Sequence, residues 1–224
     1  MRIRRKKWAR PELAECPYYT DNTEDMAGKW RQLFPHPERE LYLEVGCGKG
    51  HFAAAHALRF GDINIIAADI KADMLGVARR NIESIFAEAG HTNDNLYLAC
   101  FNVADISRFM GAEDRIGRIY INFCNPWNRG KHNKRRLTHP RQLMQYRQIL
   151  VPGGEIHFKT DDDTLFADSL EYFAECGFEP LLVTYDLHSE GIADSFPTEH
   201  ERMFSEEGIK IKYARMRMKD MEQP

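Results

Sequence analysis

The sequence predicts an α/β domain built on a doubly wound, mostly parallel sheet of seven strands. Three observations predict it. Short apolar runs alternate with amphipathic stretches along most of the chain, the pattern of strands and covering helices that take turns. A glycine-rich loop, "EVGCGKG" (44–50), joins the first run to the first helical stretch. An acid, Asp69, closes the second run. Sheets of this kind bind ligands at the carboxyl ends of their strands, where both features fall.

The elements follow in order. Residues 1–25 have mixed polarity, and Pro11 and Pro17 break any period, so they read as a basic N-terminal arm; residues 26–224 read as one domain. "MAGKWRQLF" is a short helix stopped by Pro35 and Pro37. "LYLEVG" (41–46) is a strand and "GHFAAAHALRF" (50–60) a helix. "INIIAAD" (63–69) is a strand, followed by a long amphipathic helix over 71–90 that ends on a glycine. Strands are expected at 95–100, 118–123 and 154–160, with helices near 104–110, at 140–150 and at 163–177 between and after them. "EPLLVTYDL" (179–187) and "IKIKYARM" (209–216) close the sheet.

The composition suits a folded, water-exposed domain: 43% hydrophobic and 29% charged residues over 224 positions. No apolar run approaches the ~18–20 residues of a membrane span, and no apolar core follows the basic start, so no secretory signal is expected. The five cysteines are scattered, with neither C-x-x-C nor zinc spacing. Reduced thiols, a cytoplasmic location and no bound metal are the expectations. The net charge of −3 conceals a segregated distribution. Residues 1–10 carry six basic groups and no acid, and residues 115–154 carry nine and no acid, leaving 16 basic residues against all 34 acids elsewhere. Such segregation points to a polyanion met by one face; a solvated basic loop is the simpler alternative.

The glycine loop narrows the ligand. Gly46, Gly48 and Gly50 permit a tight turn and close approach of backbone to ligand. Asp69 falls where a carboxylate accepts hydrogen bonds from ribose hydroxyls. The spacing is G-x-G-x-G, not the dinucleotide G-x-G-x-x-G, and Glu44 precedes the first glycine. An acid there is badly placed for a pyrophosphate and suits an ammonium or sulfonium. S-adenosyl-L-methionine (SAM) carries both, with a ribose for Asp69; an NAD-dependent oxidoreductase fits the loop less well.

With "LEVGCGKGHF", "NPWNRGKHNKRRLTH", "GGEIHFKTDDDTLFADSLEYF" and "TEHERMFSEEGIKIKY" taken together, the chain resembles the tRNA (guanine-N7)-methyltransferases from about residue 40 to about 213. The resemblance implies a Rossmann-like methyltransferase fold, SAM as cofactor, and transfer of a methyl group to N7 of a variable-loop guanosine in tRNA. It further implies that Glu44, Gly46, Gly48, Asp69 and Asn102 hold the cofactor. Asn125 and Asp161 fall at catalytic positions, Asn125 also bordering the cofactor. Asp161, Thr198 and Glu201 line the cofactor and guanine pocket, and Arg129, Lys131, Lys134, Arg135 and Arg136 face tRNA phosphates. A monomer or homodimer is expected. Asn102 and Asn125 stand where the family usually has Asp.

Local readings remain beside these roles. Asn125-Pro126-Trp127 is also a turn signal, and it is similar to the Asn-Pro-Pro-aromatic motif of enzymes that methylate exocyclic amines. Thr198-x-x-Glu201 is formally a capping box, and Asp161 is a candidate helix N-cap. Trp127 is a base-stacking or a packing residue, His132 and His139 are surface or phosphate-near residues, and Cys47 and Cys124 pack as small apolar groups. A non-catalytic RNA-binding protein on the same fold is the alternative that the Asn at 125 supports.

Overall fold

The computed structural model describes residues 5–128, 130–192 and 208–220. Its elements are α1 (Ala9–Ala14), β1 (Tyr19–Thr20), β2 (Glu40–Val45), α2 (His51–Arg59), β3 (Ile63–Asp69), α3 (Ala72–Glu88), β4 (Leu96–Cys100), β5 (Ile116–Asn122), α4 (Pro140–Ile149), β6 (Leu150–Thr160), α5 (Asp163–Glu175), β7 (Phe178–Thr184) and β8 (Lys212–Met218). The strands form one sheet in the order β1-β4-β3-β2-β5-β6-β8-β7. Every pairing from β1 to β6 is parallel, and only β8 runs against its neighbours. The strand order reverses between β2 and β5, the position where a doubly wound sheet opens a crevice at its strand ends.

The central strands are buried on both faces. Leu41, Leu43, Val45, Ile66 and Ala68 face α4 and α5 with Leu143, Tyr146, Phe158, Phe166 and Phe173. Tyr42, Ile65, Ala67 and Leu98 face α2 and α3 with Phe52, Ala53, Leu75, Ala78 and Ile82. Near-continuous apolar runs on β2 and β3 follow from this double cover. They also make Glu44, in the middle of such a run, expensive to bury unless a partner compensates it.

Several expected elements take a different form, among them the helix near 104–110, which is a 3₁₀ segment, Val103–Arg108. The sheet has eight strands, because the two-residue β1 adds to β4 through Tyr19↔Leu98 and Thr20↔Ala99. Ahead of it, α1 seats on α3 where both helices are small: a Cβ on Gly76 would come within 2.5 Å of the Ala9 Cβ. Arg80 lies 3.6 Å from the Trp8 ring centroid, and Lys6 N–H donates to Asp73 at 2.8 Å. Part of the segment read as an arm is therefore packed onto the sheet. The helix expected in "MAGKWRQLF" is a 3₁₀ turn, Trp30–Leu33. Trp30 is fully buried and its indole N–H donates to the Phe109 carbonyl at 2.7 Å. Satisfying that donor fixes the segment more firmly than helical period does.

Candidate functional site

The loop after β2 is drawn over the end of β3. The N–H groups of Gly46 and Cys47 both donate to the Ala68 carbonyl, at 2.8 and 3.0 Å. Asp69 holds the next turn: its Oδ2 accepts from Gly48 N–H at 3.2 Å and its Oδ1 from Lys71 N–H at 2.8 Å. Burial pushes the Asp69 carboxyl up from its ordinary value, while these two N–H groups pull it down. Gly50 opens α2 at φ 75°, and a Cβ there would meet Ala78 at 2.8 Å, so only glycine lets α2 sit this close to α3. A Cβ on Gly48 would meet nothing within 4 Å. The space beside Gly48 is open.

Glu44 sits beneath this loop at 2% exposure. Its Oε1 accepts from Asn122 Nδ2 at 3.1 Å, whereas its Oε2 has no hydrogen-bond partner among the described residues. Burial raises its carboxyl to about 8; the Asn122 amide and, more weakly, the Ala53 N–H at the start of α2 oppose the shift, and the Asp69 charge adds to it. A buried acid with one unmet oxygen beside an open loop is the complement of a ligand ammonium. These residues fit SAM: Glu44 toward its ammonium, Asp69 toward its ribose. At the end of β4, Asn102 caps a 3₁₀ turn, accepting from Ala104 N–H at 3.1 Å and donating to Asp105 at 3.0 Å. That turn follows the strand end beside Asp69, whose register partner on β4 is Cys100.

The acid-free segment leaves β5 beside the same loop. Asn122 ends β5, and Phe123 and Trp127 adopt positive φ of 50° and 47°. The Asn125 side chain closes a local turn, its Oδ1 accepting from Trp127 N–H at 3.0 Å. The Asn125 Oδ1 is thus engaged in the turn. Asn125, Pro126, Trp127, Asn128 and His132 line a groove of about 380 Å³. Trp127 is half-buried, with His132 at 5.8 Å between ring centroids and the Arg135 guanidinium 5.1 Å from its ring. At the far end of the segment, Leu137 returns to the glycine loop: a Cβ on Gly46 would be 3.7 Å from its Cδ1.

The basic residues divide into two groups. Lys131, Lys134 and Arg135 are exposed on the 3₁₀ turn Gly130–Arg135. Arg136 is a correction to the sequence reading: it is only 3% exposed and does not face solvent. Its Nε donates to the Pro126 carbonyl at 2.7 Å and its Nη1 pairs with Asp168 on α5. Arg136 closes the loop on itself and fastens it to α5. Arg129, Thr198 and Glu201 lie outside the described residues.

Asp161 follows β6, half-buried, but it is not the N-cap of α5. That role belongs to Asp162, whose Oδ1 accepts from Leu165 N–H at 2.7 Å. His139 likewise caps α4, with Pro140 in the first turn. Two residues here carried no assignment from sequence. Asn122 partners Glu44, and the buried Lys212 donates from Nζ to the Asp161 carbonyl and pairs with Asp163, both at 2.8 Å. The alternation in "IKIKY" sets Lys212 on the face opposite Ile209 and Ile211, the polar face by pattern, so nothing in the sequence marks its burial. Cys47 is buried and its thiol is held well above the ordinary value by burial; it packs, as does Cys124.

A family model described as "Putative methyltransferase" matches residues 38–214. The tRNA (guanine-N(7)-)-methyltransferase of Clostridium perfringens strain SM101 is 53% identical over 213 residues, covering 95% of this chain and 97% of the relative. That of Clostridium beijerinckii is 52% identical over 220 residues, covering 98% and 100%. The chain belongs to the tRNA (guanine-N7)-methyltransferase family. Among solved structures, the 16S rRNA methyltransferase KamB superposes with a TM-score of 0.58 at 13% identity, covering 81% of this chain and 88% of that one. The N-methyltransferase NodS from Bradyrhizobium japonicum, in complex with S-adenosyl-L-homocysteine, gives 0.54 at 14%, covering 81% and 79%. At these identities the likeness concerns the fold, which is the SAM-dependent methyltransferase fold; the family membership makes the chain a SAM-dependent enzyme. No helix among the described residues is long and apolar enough to cross a membrane.

Proposed function

We propose that this chain transfers the methyl group of SAM to N7 of a variable-loop guanosine in tRNA. One observation supports it above the others: the loop that carries Lys131, Lys134 and Arg135 starts and ends against the glycine loop, through Asn122–Glu44 at one end and Leu137–Gly46 at the other. A polyanion drawn to those cations arrives at the rim of the methyl-donor site.

Guanine N7 carries an in-plane lone pair and no proton, so no general base is required. SAM, when bound, supplies an activated methyl on a sulfonium. The protein's task is alignment of that methyl with N7 and accommodation of positive charge as it moves into the base. Glu44 and Asp69 hold the two ends of the donor, Gly46 and Gly48 let the backbone approach it, and Asn102 borders its base. Asn125 and Asp161 flank the acceptor, and the family match assigns Thr198 and Glu201 to the same task and Arg129 to phosphate contacts. Lys131, Lys134 and Arg135 bind phosphates, and RNA shape supplies most of the selectivity. The enzyme works as a monomer or homodimer in the cytoplasm.

The test is nucleoside mass spectrometry of unmodified tRNA before and after incubation with the protein and SAM. The expected result is 7-methylguanosine formed in proportion to enzyme. Retained tRNA and SAM binding without methylation would make the chain a binding protein on a methyltransferase fold, and methylation of an exocyclic amine would change the acceptor.

A further inference from the structure

We infer that Asn122 is a positioning residue for the methyl donor: it holds the buried Glu44 carboxylate by one oxygen so that the other is presented to the donor's ammonium. The inference rests on SAM as donor and not on the identity of the acceptor.

The geometry is specific. Glu44 pairs in register with Tyr120 on the neighbouring β5. Asn122 lies two residues further on the same face and reaches back, its Nδ2 3.1 Å from Oε1. Glu44 is 2% exposed and its Oε2 is unmet among the described residues. A buried carboxylate with neither oxygen held would turn toward whatever donors it found or keep its proton. Holding Oε1 fixes the orientation of the group in advance, so that when the donor's ammonium draws the acid into its ionised form the charge needs no further arrangement. A neutral amide is the suitable partner. A cation there would neutralise Glu44 and compete with the donor's ammonium, and a second carboxylate would add to the repulsion from Asp69. Asn122 is also the last residue of β5 before the Asn125 turn, so the group that orients the donor acid belongs to the strand that launches the acceptor loop.

The test compares two ligands by isothermal titration. SAM carries the amino-acid end that Glu44 would meet, whereas 5′-methylthioadenosine shares the adenosine and lacks that end. Asn122→Ala is expected to weaken SAM by about 10- to 100-fold and to leave 5′-methylthioadenosine within about twofold. In a Glu44→Gln background the same substitution should have little further effect on SAM, since the two residues act as a unit. If Asn122→Ala does not fold, Asn122→Ser, whose hydroxyl is too short to reach Oε1, carries the same expectation. Equal losses for both ligands, an unchanged SAM affinity, or full additivity with Glu44→Gln would each overturn the inference. Because the readout is binding, a failure here is distinct from a failure to methylate tRNA.

Discussion

Replacing Glu44 by Gln tests the electrostatics of the donor site directly. The Glu44 carboxyl is raised from 4.5 to about 8, first by burial and then by the charge of Asp69. Each unit of such a shift is ~1.4 kcal/mol, so the full displacement links roughly 5 kcal/mol of folding stability to pH. Below its unfolded value the carboxyl is protonated in both states and the contribution is intact. Between the two values the folded protein keeps a proton that the unfolded chain releases, so stability falls as pH rises and levels off above the folded value. Glutamine has no proton to lose, and its carbonyl can still accept from Asn122. In urea unfolding without SAM, parent and Glu44→Gln should be similar near pH 5, and the variant should be the more stable by ~3–5 kcal/mol near pH 8. Saturating SAM should shrink or reverse that advantage, because its ammonium stabilises the ionised acid in the parent alone. Parallel pH profiles for the two proteins would refute the reasoning, since they would mean that Glu44 is not a strained buried acid.

Reversing Lys134 and Arg135 to Glu should weaken tRNA binding steeply and lower the log–log salt slope by about 1.5–2, with SAM affinity nearly unchanged; filter binding across salt concentrations and SAM titration check the two halves. Arg136→Ala should behave differently, lowering stability by ~2–4 kcal/mol in denaturant unfolding, because it strips a buried guanidinium from Asp168 and the Pro126 carbonyl. Gly50→Ala should cost ~1–3 kcal/mol, read as a lower Tm, because φ is 75° and the new Cβ meets Ala78 at 2.8 Å.

The central fold is legible in the sequence because parallel strands buried on both faces leave a strong apolar imprint, and "LYLEVG" and "INIIAAD" carry it without ambiguity. The two acids proposed for the donor are legible for the same reason: Glu44 is conspicuous inside one apolar run, and Asp69 stands at the end of the next. Other features depend on partners far along the chain. Arg136 follows two basic residues on a short 3₁₀ turn, where no period distinguishes inside from outside, and its partner Asp168 lies on α5. Asn122 at a strand end resembles any polar strand terminus until β2 places Glu44 beside it. The packing of α1 hangs on Ala9 meeting Gly76, two small residues whose adjacency no local pattern records; Pro11, inside the six-residue helix, and Pro17, ahead of the two-residue strand, mask both elements.

The staple made by Arg136 separates two kinds of evolutionary freedom. Because Arg136, at the end of the loop, joins Pro126 near its start and ties both to α5, Lys131 and Lys134, exposed between those two points, ride on a frame that is anchored without them. Charges on that turn can be gained, lost or shifted to suit a different set of RNAs while the methyl-donor chamber stays as it is. A change at Arg136 itself would have the opposite character, altering the frame and with it every contact the turn makes.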